Sequence, residues 1–330
     1  MAYTTIDNPE LYFQVKLYTG TGSSHAITLD GDENMQPDMV WWKERGSSDY
    51  HTIVDSVRGV TKRIFTNATD AEDTQAESLK SFDSDGFTMG TNSGANQSSQ
   101  TYVAWSWKES ADAGFDIVSW TGNGSSQNIS HSLSAVPHFM ITKNRSATGD
   151  WSTYHKFGGG TKTFYLSNSD AIGTTISPWN NTDPTSSVFT VGGGAYTNGS
   201  GNSIIGYLWT EKQGYSKFGS YTGNGDADGA FVYTGFRPAF VLLKNSSGTL
   251  NWNMQDNKRW EGYNEVQPHL APNLSAQEYS SSSYGIHLLS NGFKITNNLS
   301  VWNGSGNAHI YMAFSEQPLV NSNGVPANAR

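Results

Sequence analysis

Short apolar runs alternate along the chain with clusters of Gly, Asn, Ser and Pro, and the runs are strand-sized. In the middle third they read FDIVSW, NISHSL, HFMITK, STYHKF, TKTFYL, SVFTV and SIIGYLW, each bounded by turn-forming residues. About seven short strands in roughly 100 residues predict an antiparallel sandwich or jelly roll. The runs DMVWW, HFMIT and AFVLL are apolar at both alternations, which predicts a central strand buried on both faces.

The same pattern is written three times. YTGTG at 18–22, WTGNG at 120–124 and YTGNG at 221–225 open three units, with Gly20, Gly122 and Gly223 separated by 102 and 101 residues. Pro37, Pro137 and Pro238 follow at separations of 100 and 101, and each precedes a lysine by six residues: Lys43, Lys143 and Lys244. A proline suits the first residue of a strand, where its missing N–H removes no ladder bond. Toward the close of each unit, Tyr102-Val103-Ala104-Trp105 is aligned with Ile204-Ile205-Gly206-Tyr207 and with Tyr311-Met312-Ala313-Phe314. Short joints at 109–114 and 211–217 divide the chain into 1–110 with an N-terminal arm, 111–213, and 214–330 with a C-terminal tail. Joints this short predict units packed on one another. The fold class expected is all-β: three tandem antiparallel β-sandwich or jelly-roll-like repeats.

Local signals refine this picture. Asp85-Gly86 and Asn291-Gly292 stand between apolar runs and predict type I′ hairpins. Thr69-Asp70-Ala71-Glu72 and Ser275-Ala276-Gln277-Glu278 have capping-box spacing and predict a small helical element in units one and three. Unit two carries a polar loop at 174–187 in that place.

Composition agrees and excludes several functions. The 35 Gly and 13% aromatics suit tight turns between pleated faces, and 11 Trp, 16 Tyr and 15 Phe exceed the apolar content of a disordered chain. Net charge is −9 and no basic run is longer than Lys62-Arg63, so no stripe exists for a nucleic-acid backbone. With no cysteine there is no disulfide, thiol chemistry or zinc–thiolate site. The start MAYTTIDNPELYFQV has neither the basic nor the apolar region of a signal peptide, and no apolar run is long enough for a membrane-spanning helix.

A phosphate loop needs a helix after its glycines, and TGNG is followed by DAD or SSQ, so the turn reading is preferred. Asp83-Ser84-Asp85-Gly86 opens like a calcium loop, but Gly94 holds the position of the bidentate Glu. Eight histidines, His131 and His138 among them, show no metal-binding spacing. Asp55 and Asp256 recur, each with an arginine three residues on (Arg58, Arg259), which suggests a structural ion pair. Glycosidase chemistry needs facing carboxylates, and Asp38 becomes His138 and Ala239 in the other units. No G-x-S-x-G elbow is present. No catalytic residue, metal site or cofactor is therefore expected. Trp179 in SPWNNTD and Trp302 in SVWNGSG lie in loop-like settings and are the candidate glycan-stacking residues.

The runs DNPELYFQVKLYTGTG, QPDMVWWKERG, DSVRG, SDGFT and YVAWSWK, together with GYSKFGSYTGNGDADGAFVYTGFRPAFVLLKN, LSNGF and IYMAFSEQP, carry a resemblance. This set resembles a repeated β-domain of virion structural proteins of marine tailed phages, over nearly the whole chain. The resemblance implies a non-catalytic structural protein on the particle surface, of capsid-decoration or tail-appendage type. Its expected location is the virion, and its expected partners are other virion proteins and copies of itself. The alternative is a glycan-binding fibre or tip that recognises host-surface glycans. A depolymerase is disfavoured because no carboxylate pair recurs.

Overall fold

The computed structural model describes residues 2–175, 177–260 and 264–326. Position 176, inside the polar 174–187 loop, lies outside the described residues.

The first segment contains β1 (Phe13–Thr19), β2 (His25–Thr28), β3 (Met39–Glu44), β4 (Thr52–Asp55) and β5 (Lys62–Phe65). It continues with β6 (Asp73–Thr74), β7 (Leu79–Asp83), β8 (Gly86–Met89), the short helix α1 (Ser93–Asn96) and β9 (Thr101–Trp107). The second holds β10 (Phe115–Thr121), β11 (Gln127–Ser130), β12 (Phe139–Asn144), β13 (Ser152–His155), β14 (Phe164–Tyr165), β15 (Val188–Val191), α2 (Ala195–Asn198) and β16 (Ser203–Trp209). The third holds β17 (Ser216–Thr222), β18 (Phe231–Tyr233), β19 (Phe236–Asn245), β20 (Asn253–Asp256), β21 (Ile286–Leu289), β22 (Gly292–Ile295), α3 (Ser300–Asn303) and β23 (Ala308–Pro318).

The fold is all-β with antiparallel sheets. The larger sheets run β1-β9-β3-β4-β5-β6, β10-β16-β12-β13-β14 and β17-β23-β19-β20, so the same first-last-third-fourth order recurs. Smaller sheets β2-β8-β7, β11-β15 and β18-β22-β21 supply a second layer.

Strand alternation decides what each layer buries. In β3, Met39 and Trp41 enter the principal core, while Val40 and Trp42 enter a separate core with Ile27, Phe87 and Met89 of the small sheet. Phe139 and Ile141 of β12, and Phe240 and Leu242 of β19, face the principal core in the same way. Both faces of these strands are thus dry, as their doubly apolar runs require.

That principal core draws on all three segments. Trp107 lies 6.3 Å from Trp209 and 5.7 Å from Phe314, ring centroid to centroid, and Phe13 stacks on Phe314 at 5.0 Å. Each fully buried ring contributes about 1.5–3 kcal/mol, so the segments stabilise one another through shared aromatics.

Four sequence expectations change. Pairing places Phe314 of β23 opposite Phe240, as Trp107 is opposite Met39, so His309-Ile310-Tyr311-Met312 corresponds to Tyr102–Trp105. This correspondence differs by two residues from the one expected from sequence, a shift that a period of two cannot detect because each side chain keeps its face. Pro37 and Pro137 precede their strands, whereas Pro238 lies inside β19 where the register shifts. The β7–β8 turn has positive φ only at Gly86 (+115°) and not at its central residues Ser84 and Asp85, so it is not type I′, which needs positive φ at both. Residues 69–72 and 275–278 are not helical, because Glu72 and Glu278 engage neighbouring segments instead of capping.

Candidate functional site

The aromatic-Thr-Gly-x-Gly motif forms a closed clasp in each segment. Tyr18 Oη donates to Ala95 O at 2.8 Å, Trp120 Nε1 to Thr197 O at 3.1 Å and Tyr221 Oη to Trp302 O at 2.5 Å, in each case the third residue of the short helix. A Cβ on Gly20, Gly122 or Gly223 would stand 2.2, 2.2 or 2.3 Å from a backbone carbonyl oxygen, so close approach requires the first glycine. The second glycine answers to backbone conformation, with φ of +71°, +73° and +73° at Gly22, Gly124 and Gly225.

A buried asparagine locks the loop. Asn96 Oδ1 accepts from Thr21 N at 2.8 Å, Asn198 Oδ1 from Asn123 N at 3.0 Å and Asn303 Oδ1 from Asn224 N at 2.9 Å. The flanking glycine amides bond Gln100 O and Asn96 O in the first loop and their counterparts in the others. All three successive N–H groups are engaged, so none is left to cradle a phosphate.

The ionisable residues form seams between segments. Arg145 grips Glu72 through Nε and Nη2 at 2.8 and 3.0 Å, and Arg45 grips Glu278 at 3.0 and 2.7 Å. Behind them, Arg58 Nε donates to Asp55 Oδ2 at 2.5 Å and Arg259 Nε to Asp256 Oδ2 at 2.6 Å, with all four side chains buried. Burial would depress Arg58, but Tyr207, Asp55 and Glu72 outweigh it and hold the guanidinium above its usual value.

These networks are extended cyclically. Tyr207 of the second segment donates to Asp55 of the first at 2.6 Å, and Trp105 of the first donates to Asp256 of the third at 3.1 Å. At the remaining seam, His155 Nε2 donates to Tyr311 O of the third at 3.3 Å. Trp151 Nε1 crosses to Phe65 O and Trp252 Nε1 to Tyr165 O, at 2.8 and 2.9 Å. Lys143 crosses to Thr69 O and Lys244 to Ser169 O, both at 3.2 Å. Burial lowers Lys43, Lys143 and Lys244 to about 8, so these ammoniums remain protonated donors at neutral pH.

The first joint contains a carboxyl pair that sequence spacing did not reveal. Glu109 is pushed up to about 7 by burial and its hydrogen bond to Asp116. Backbone amides hold the group in place: Glu109 N donates to Asp38 Oδ2 at 2.8 Å and Ser132 N to Asp116 Oδ2 at 2.5 Å. It therefore acts as a joint fastener held by backbone.

Both candidate stacking residues lie inside. Trp179 is 1% exposed against Tyr154, and Trp302 is 0% exposed in the third outer core, so neither presents a face to a sugar ring. Ten of the eleven tryptophans are buried. The Asp83 carboxylate accepts the Ser81 and Thr88 hydroxyls, and Asp85 accepts Met35 N, which makes the DSDG turn self-contained. His131 meets Thr185 O, and His138 accepts the Glu211 amide. Among the described residues no cluster of three or more His, Cys, Asp or Glu is placed to hold a metal.

A family described as "Domain of unknown function (DUF7483)" matches residues 8–318. No curated protein matches the chain.

Proposed function

This chain belongs to the DUF7483 family, and we propose that it serves as a non-catalytic building block on the outside of a phage particle. The observation that carries the reading is the ring of seams: second to first, third to second and first to third, each fastened by buried polar groups. The recurring ionisable groups Asp55, Arg58, Glu72, Asp256, Arg259 and Glu278 are committed to those fasteners, which tie each segment to both of its neighbours. A net charge of −9 keeps such blocks soluble at the high local concentration of a particle surface. The resemblance to virion β-domains points the same way. Its partners on this reading are other virion proteins and further copies of the chain.

The test is proteomic and visual. Purified particles of a phage encoding this chain should contain it in stoichiometric amount, and antibody-labelled particles should show it outside by electron microscopy. Its absence from purified particles, with abundant chain in the infected-cell lysate, would overturn the proposal.

A further inference from the structure

The seam between the first and third segments is fastened differently from the other two. Lys143 and Lys244 each reach a carbonyl of the neighbouring segment, whereas Lys43, among the described residues, bonds Glu44 O and Ser47 O, at 2.5 and 2.7 Å, within its own. His51 stands where Trp151 and Trp252 donate across their seams, and among the described residues neither of its ring nitrogens has a hydrogen-bond partner. Gly149 N closes the second-to-first seam on Thr69 O at 2.8 Å. Where the corresponding fasteners are missing, a cleft of about 480 Å³ opens, lined by Ser48, Tyr50, Asn67, Asn273, Leu274 and Ser275.

The lining has a definite chemistry. Tyr50 is 44% exposed, and Phe65 supports its ring at 4.6 Å between centroids. Asn67 Oδ1 accepts His51 N at 2.8 Å, which fixes the orientation of the amide in the cleft wall. Asn273 is held on both sides, accepting from Trp252 N at 3.0 Å and donating to Asn251 at 2.8 Å, so that wall is rigid. Tyr50 is also a wall of a second cleft of about 380 Å³, which holds Asp49, Asp70, Asp73 and Arg63. Arg63 is paired with Asp73 at 2.5 Å, leaving that cleft acidic.

We infer that this seam binds a neutral oligosaccharide laid across Tyr50. The exposed ring receives the apolar C–H face of a pyranose. The fixed Asn67 amide donates to a sugar oxygen, serine hydroxyls serve either role, and Asp70 and Asp49 accept from sugar hydroxyls. Carboxylates in the second cleft repel uronic or sialic acids. The positions matching Tyr50 two residues before β13 and β20 are Asp150 and Asn251, so the platform occurs at one seam and one ligand binds per chain. Such a site belongs to the isolated chain, whether or not the chain sits on a particle.

Titration calorimetry and saturation-transfer NMR on the full chain test this, with cellotetraose, mannotetraose and chitotetraose as neutral probes and an alginate tetrasaccharide as the anionic one. At least one neutral probe should bind with a stoichiometry of one, and the alginate probe should not. Tyr50→Ala should weaken that binding by about tenfold or more, while Tyr50→Phe stays within about threefold. Asn67→Asp keeps the acceptor for His51 N and removes the donor, and should weaken binding by about fivefold with an unchanged melting temperature. Failure of all three neutral probes, equal binding by Tyr50→Ala, or three sites per chain would overturn the inference.

Discussion

Replacing Asp55 with alanine removes the acceptor at the centre of the second-to-first seam. In the wild type its carboxylate accepts Arg58 Nε at 2.5 Å, Arg58 N at 2.9 Å and Tyr207 Oη at 2.6 Å, all from buried groups. Alanine leaves the Arg58 guanidinium buried with Glu72 at 3.2 Å as its remaining carboxylate. Removing one partner of a buried pair costs about 3–5 kcal/mol, and the surviving Glu72 contact sets the expectation near the lower end. Unfolding entropy of roughly 2.1 cal/mol/K per residue gives about 0.7 kcal/mol/K for a chain that melts as one unit, so the melting temperature should fall by about 4–5 °C. Urea titration followed by tryptophan fluorescence and calorimetry would measure both quantities. The double variant Asp55→Ala/Arg58→Met removes the stranded charge and should recover most of the loss, giving strongly non-additive effects. A loss below about 1 kcal/mol for Asp55→Ala, or additivity in the cycle, would refute the claim that this pair fastens the seam.

Further outcomes follow from the same geometry. Glu109 has a folded value of about 7 against an ordinary 4.5, so its stabilising share is present below pH 4.5 and is lost as pH rises to 7. Glu109→Gln should therefore be more stable than wild type at pH 8 and not at pH 4, by urea titration; the reverse order would contradict the carboxyl pair. Gly122→Ala drives a Cβ to 2.2 Å from Gly199 O and should cost about 2–3 kcal/mol. Gly46→Ala, whose Cβ meets only a glutamine side-chain oxygen at 3.7 Å, should cost well under 1 kcal/mol.

Much of the architecture was legible because it is local. Period-two runs, turn residues and the recurring Tyr18, Trp120 and Tyr221 motif lie within a few residues of what they specify. Seams are not local: Arg145 and Glu72 are 73 residues apart, and Arg45 and Glu278 are 233 apart. Glu72 and Glu278 carried a true signal, their recurrence, and a wrong local reading as helix caps. Trp179 and Trp302 sit beside Asn and Gly in sequence, which suggests a loop tip, yet both side chains turn inward. Tyr50 gave no repeating signal, since the other segments lack it. Departure from the repeated pattern marked the candidate cleft, and recurrence marked the scaffold.

The closure of the first segment onto the third has a consequence for divergence. Three separate identical chains in such a ring would have to present every surface feature in triplicate, and any change at one seam would be made at all. Joined in one polypeptide, the seams mutate independently. Two can keep their crossing tryptophans and lysines while the third, with His51 and Lys43 turned back on their own segment, is held by Trp105–Asp256 and Arg45–Glu278 and leaves room for an open cleft. Covalent linkage is what allows a ring of similar parts to fasten each seam in its own way and to specialise one of them.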